Sequence, residues 1–130
     1  MIGIDTNVLA RYILQDDPEQ ALLAERLLVG LDAEPGYVGH IVLVELAWLL
    51  RGGYGYTRSD VARVLESLLS TEELRFEEPG LVWAALHDFT GGSADFADYL
   101  LARRHRQAGC SHTVTFDRKA GEHALFKLLA

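Results

Sequence analysis

Met1-Ile-Gly-Ile-Asp5-Thr-Asn-Val-Leu-Ala10-Arg-Tyr-Ile-Leu14 opens the chain and decides its fold. Ile2 to Asp5 reads as a short buried strand that ends in an acid. Thr6 or Asn7 then supplies the short polar side chain that caps a helix, and the helix runs through Leu14. A strand running straight into a helix is the first half of a parallel β-α-β unit, and the rest of the chain repeats the alternation. Asp17-Pro18-Glu19 starts a second helix with a cap, a first-position proline and an early acid, with Leu22, Leu23, Leu27 and Leu28 on one face. Tyr37 to Gly39 is a strand candidate. Ile41 to Arg51 is a helix, apolar almost all round and so expected between layers.

Further on, Thr57-Arg-Ser-Asp60 has the form of a capping box and opens a helix to about Ser70. Glu73 to Glu77 suggests a strand. Pro79 starts a helix that Gly91-Gly92 breaks, and Ser93 caps another to about Gln107. Ser111 to Phe116 is a strand, Arg118 to Ala120 a turn or short helix, and Phe126 to Leu129 a last strand. Short strands alternating with helices imply an α/β fold with a parallel sheet covered on both faces, and ligands in such sheets bind beyond the carboxyl ends of the strands. The 130 residues fit one domain, 1–130.

Composition narrows the function. The net charge of −7 argues against nucleic-acid binding through bulk charge, although cations cluster at Arg103-Arg104-His105-Arg106 and Arg118-Lys119. No apolar run approaches the ~20 residues of a membrane span, and no leader is evident. The single Cys110 cannot pair within the chain, which fits a reducing cytoplasm. His40, His87, His105, His112 and His123 show no zinc spacing, Gly52-Gly53-Tyr54-Gly55 lacks the Lys-Ser/Thr of a phosphate loop, and no serine sits in a Gly-x-Ser-x-Gly elbow.

What stands out is acids in apolar settings. Asp5 ends the first strand. Glu45 is the lone polar residue of Ile41–Leu50 and is expected to lie inward or in a cleft. Asp95 and Asp98 share one helix face, and Asp117 ends the run Thr113-Val-Thr-Phe-Asp. Singly, four have a plain reading: Asp5 an N-cap, Glu45 a partner for an arginine, Asp95 a helix-dipole acid, Asp117 a turn residue; Asp98, deeper and flanked by Phe96, Tyr99 and Leu100, fits the dipole reading less well. Jointly, carboxylates that converge repel unless a cation neutralises them, and carboxylate oxygens without thiolate or imidazole suit Mg²⁺ or Mn²⁺.

With these residues the chain resembles the PIN-domain ribonucleases, and among them the VapC-type toxins of toxin–antitoxin pairs. Ile4-Asp5-Thr6-Asn7-Val8-Leu9-Ala10-Arg11-Tyr12, Val44-Glu45-Leu46-Ala47-Trp48-Leu49-Leu50, Asp95-Phe96-Ala97-Asp98-Tyr99-Leu100-Leu101-Ala102 and Thr115-Phe116-Asp117-Arg118-Lys119-Ala120 resemble the family's four motifs, in order. Tyr99 stands where the family usually has a small residue.

The resemblance implies a three-layer α/β/α sandwich with a central parallel sheet of four to five strands. It implies a metal held by Asp5, Glu45, Asp98 and Asp117, with Asp95 additional and Asn7 and Thr115 orienting the acids. It implies an endoribonuclease that cleaves RNA with a metal-activated water, the toxin of a type II pair, forming a homodimer and bound by a VapB-like antitoxin. Arg103, Arg104, Arg118 and Lys119 are then candidates for flanking phosphates. The helix Leu9 to Leu14, the helix from Asp17 and the turn Gly52 to Tyr56 are candidate antitoxin contacts, with Leu9, Ile13 and Leu14 foremost. The alternatives are a PIN nuclease of RNA processing, a non-catalytic PIN-like module, and a Mg²⁺-dependent phosphohydrolase of the haloacid-dehalogenase kind. Asp5-Thr6-Asn7 lacks the second Asp which that last class uses two residues on.

Overall fold

Parallel strands separated by helices build the protein in a computed structural model that describes all of residues 1–130. The order is β1 (Ile2–Gly3), α1 (Thr6–Leu14), α2 (Pro18–Val29), β2 (Gly36–Val38), α3 (His40–Trp48), α4 (Arg58–Leu69), β3 (Leu74–Phe76), α5 (Pro79–Gly91), α6 (Phe96–Gln107), β4 (Thr113–Thr115) and β5 (Phe126–Leu128). Short 3₁₀ turns follow α2 and precede β5, and a π-helical turn, Leu49–Gly53, extends α3. The expected α/β class with parallel strands is what the structure has. Its five strands are divided, however, between a three-stranded sheet, β1-β2-β3, and a two-stranded one, β4-β5. The chain forms two compact units, Met1–Glu77 and Glu78–Ala130.

In the first unit Ile2 registers with Gly36, and Gly36 with Leu74. Gly36 is the tight point. A Cβ there would lie 3.0 Å from Ile4 Cγ1 and 3.1 Å from Leu31 and Leu74 side chains, so the absent side chain lets the core close over the middle strand. Val61, Leu65 and Leu68 of α4 are buried at helical spacing. Leu9, Leu31, Val38, Leu43, Leu46 and Leu50 join them in the core. Thr57 and Asp60 cap α4 reciprocally, and Asp17 caps α2 through the Gln20 N–H, as their sequence patterns predict.

Four expectations change in this unit. The first strand is Ile2–Gly3, with both residues exposed, and not a buried strand reaching Asp5. Asp5 itself, not Thr6 or Asn7, is the N-cap of α1, accepting the Thr6 N–H at 2.8 Å. The buried face of α2 is Ala21 and Ala24, whose small side chains let the helix approach α1 closely, while Leu22 and Leu23 lie exposed. Helix α3 is not covered all round: Ile41 is 76% and Trp48 57% exposed, and Glu45, one turn from each on the same line, is exposed with them rather than turned inward.

The second unit is an α5–α6 hairpin with the small β4-β5 sheet. Phe89 and Phe96 meet edge to face with centroids 6.1 Å apart across the connection. Gly92 lies so close to Tyr99 that a Cβ there would sit 2.0 Å from the phenol oxygen. That closeness lets the Tyr99 hydroxyl accept the Ala94 N–H at 3.1 Å and fix the turn into α6. The cap of α6 is Asp95, in a reciprocal box with Asp98, and not Ser93, whose hydroxyl donates to Glu122 instead.

Candidate metal centre

Each unit carries a group of carboxylates, and local structure explains how each is held. In the first unit, capping duty points Asp5 Oδ1 at the first N–H of α1. Thr6, buried one residue on, donates its hydroxyl to Glu45 Oε1 at 2.9 Å. Thr6 therefore links the end of the β1 segment to α3 and aims Glu45. Asn7, the expected orienting residue, is exposed and makes no hydrogen bond to either acid.

Thr6→Val keeps the shape and removes the hydroxyl. It should cost about 1 kcal/mol of stability and about tenfold or more in whatever activity depends on Glu45. Chemical denaturation and initial rates on the same preparation check both.

In the second unit, Asp98 sits in the first turn of α6, half-buried, with Oδ2 accepting the Asp95 N–H at 3.2 Å. Burial pushes the Asp98 carboxyl above the ordinary carboxylate range. The Asp95 N–H opposes that rise, and the charges of Asp117 and Asp95 reinforce it. Asp117 is exposed at the end of the β4 segment. Its Oδ1 accepts the N–H groups of Lys119 and Ala120 at 2.8 and 3.1 Å, and its own N–H donates to the Thr115 hydroxyl at 2.9 Å. Thr115 thus orients the Asp117 backbone, while Asp95 lies exposed at the cap.

Asp5 Oδ2, Glu45 Oε2, Asp98 Oδ1 and Asp117 Oδ2 carry no hydrogen bond from the protein. Such all-oxygen donors fit a hard divalent ion that retains several waters. No three Asp, Glu, His or Cys side chains enclose a metal position by themselves. The acids are ordered as pairs within each unit.

The sequence reading missed a second cluster. Asp88 of α5 is buried, with its side chain only 5% exposed. It receives two bonds from the Arg103 guanidinium, Nε to Oδ2 at 2.7 Å and Nη2 to Oδ1 at 2.8 Å, and a third contact from His123 Nε2 to Oδ1 at 3.1 Å. Arg103, read from sequence as a phosphate contact, therefore commits two of its donors inward. Arg104, Arg118 and Lys119 are exposed.

Residues 2–124 match the PIN domain. The chain is also 26% identical over 118 residues, 89% of its own length and 87% of the relative's, to a protein of Aquifex aeolicus (strain VF5) named VapC ribonuclease.

Proposed function

The chain belongs to the PIN-domain family, and from that premise we propose that it is a metal-dependent endoribonuclease, the toxin of a type II toxin–antitoxin pair. The observation that carries this reading is the Asp98–Asp117 pair. Asp98 is half-buried, and its proton affinity is raised by burial first and then by the charges of Asp117 and Asp95, an electrostatic setting that a divalent cation relieves. The name of the Aquifex relative supports RNA as substrate.

Asp5, Glu45, Asp98 and Asp117 would hold Mg²⁺ or Mn²⁺, with Asp95 beside them. A bound ion of this kind lowers the pKa of its water and stabilises charge developing on a phosphate. The chain's own residues do the rest. Thr6 fixes Glu45, the Asp95 N–H fixes Asp98, and the Lys119 and Ala120 N–H groups fix Asp117, so three carboxylates are oriented before any substrate arrives. Arg104, Arg118 and Lys119 offer donors to flanking phosphates.

Purified protein should cleave total cellular RNA with Mn²⁺ or Mg²⁺ and not with EDTA, and Asp5→Asn should lose that cleavage. Cleavage in EDTA, or full activity of the variant once contaminating nuclease is excluded, overturns the metal assignment.

The reading includes a single working domain over 1–130, a homodimer, a cytoplasmic setting and a VapB-like antitoxin. No helix is long and apolar enough to cross a membrane. Two grooves flank α2 in the first unit, one of about 640 Å³ lined by Tyr12, Leu22, Leu28, Val29 and Leu68, the other of about 310 Å³ lined by Asn7, Val8, Leu23 and Leu27. Exposed Leu22 in the first groove and exposed Leu23 in the second favour an apolar antitoxin segment on α2. Leu9 is withdrawn from the expected contacts because it is fully buried in the core.

A further inference from the structure

We infer that Asp88, Arg103 and His123 form a positioning set that holds the Asp98 and Asp117 carboxylates at the separation a divalent cation needs. The inference rests on the metal reading of those two acids and adds three residues that lie apart from them.

Asp98 and Asp117 are like charges on different elements, the first turn of α6 and the turn after β4. Two ionised carboxylates brought together without a cation repel. Something must resist the separation of those two elements, and Asp88 is tied to both. Arg103 stands on the helix that carries Asp98 and grips Asp88 with two parallel bonds, a geometry that fixes orientation as well as distance. His123 belongs to the segment that carries Asp117. That segment is internally stiff: Gly121 N–H bonds Asp117 O at 2.9 Å and His123 N–H bonds Ala120 O at 3.0 Å.

The imidazole is oriented from both ends. Its Nδ1 accepts the Leu125 N–H at 3.1 Å, so the ring proton sits on Nε2, where it donates to Asp88 Oδ1. Tyr99, next to Asp98 in sequence, lays its ring edge to face on His123 with centroids 5.5 Å apart. A displacement of either acid therefore strains a buried contact at Asp88, and a neutral His123 is enough to make it.

The same geometry also stabilises the unit, so the test must separate positioning from folding. A buried ion pair exchanged for apolar groups of similar size usually leaves stability intact. Asp88→Leu/Arg103→Met should therefore melt within a few degrees of wild type. Mn²⁺ binding to the full chain, read by titration calorimetry, should weaken about tenfold or more in that variant and in His123→Ala. His123→Gln, which keeps a donor near Nε2, should recover most of the loss.

Folded His123→Ala protein with wild-type Mn²⁺ affinity overturns the positioning role, and that variant decides the matter if the double variant fails to fold. Asp117→Asn is the control. If it binds Mn²⁺ as wild type does, or wild type binds none, the metal reading itself fails. If it loses binding while the Asp88, Arg103 and His123 variants do not, the positioning set alone fails.

Discussion

Asp98→Asn is expected to abolish RNA cleavage while making the metal-free protein more stable. The two effects have one cause. The Asp98 carboxyl is held above its ordinary value of 3.8 by burial first and by Asp117 and Asp95 after it. A raised carboxyl contributes stability that is fully present below the ordinary value and is lost as pH rises through the folded-state value. At neutral pH the ionised group is therefore a net cost to the metal-free fold, and the amide removes it. Asn retains an oxygen for the Asp95 N–H, so the α6 cap survives.

Activity falls because the amide contributes no charge to the cation, and a loss of about a hundredfold or more is expected. Thermal melts in EDTA and in Mn²⁺ check the pair of statements. Wild type should gain stability on adding Mn²⁺ and lose that gain in the variant. A variant that melts below wild type in EDTA, or gains as much from Mn²⁺, refutes the electrostatic account.

Asp88→Ala should strongly destabilise the second unit. It deletes three hydrogen-bond acceptor contacts and leaves Arg103 with no partner for its inward donors. Breaking a buried ion pair from one side costs about 3–5 kcal/mol. Arg103 keeps partial access to water, its side chain being 31% exposed, so the lower end, about 3 kcal/mol, is expected. In a chain of this size that is roughly a 10 °C drop in melting temperature.

The pH dependence has the opposite sign to that of Asp98. Burial alone pushes Asp88 up, but the Arg103 and His123 hydrogen bonds outweigh it and bring the carboxyl below 3.8. Its stabilisation is present above the ordinary value and disappears as pH falls through the lowered one. Melts at neutral pH and through the acid range should show wild type converging on the variant only at the acid end. A variant within about 2 °C of wild type at neutral pH refutes this account.

Much of the secondary structure was legible because helix starts are written in short polar codes. Asp17-Pro18, the Thr57–Asp60 box and Pro79 each announce a helix that is there. The limit shows in two lone acids. Glu45 and Asp88 each sit in an apolar helix, and the sequence reading weighed only Glu45, expecting it inward or in a cleft. In α3 apolar residues occupy every side, so periodicity cannot say which side faces water, and the exposed line of Ile41, Glu45 and Trp48 gives no warning. In α5 the polar His87 and Thr90 mark the outer face, which leaves Asp88 among buried Val82, Ala85, Leu86 and Phe89. That contrast was available and would have found it. Partners across elements were not legible: nothing local says that Thr6 reaches Glu45 or that His123 reaches Asp88.

The parallel ladder of the first unit also sets an order in time. Ile2 registers with Gly36 and Gly36 with Leu74, so each row of strand bonds closes a loop containing at least one complete helix. The entropy of that closure comes before its reward, and folding dominated by distant contacts is slow. Helices α1, α2 and α4 can flicker into place in microseconds. The Thr6–Glu45 bond cannot, because it waits on the same closure as the sheet. The carboxylates of this unit therefore come into register only with the closure of its sheet.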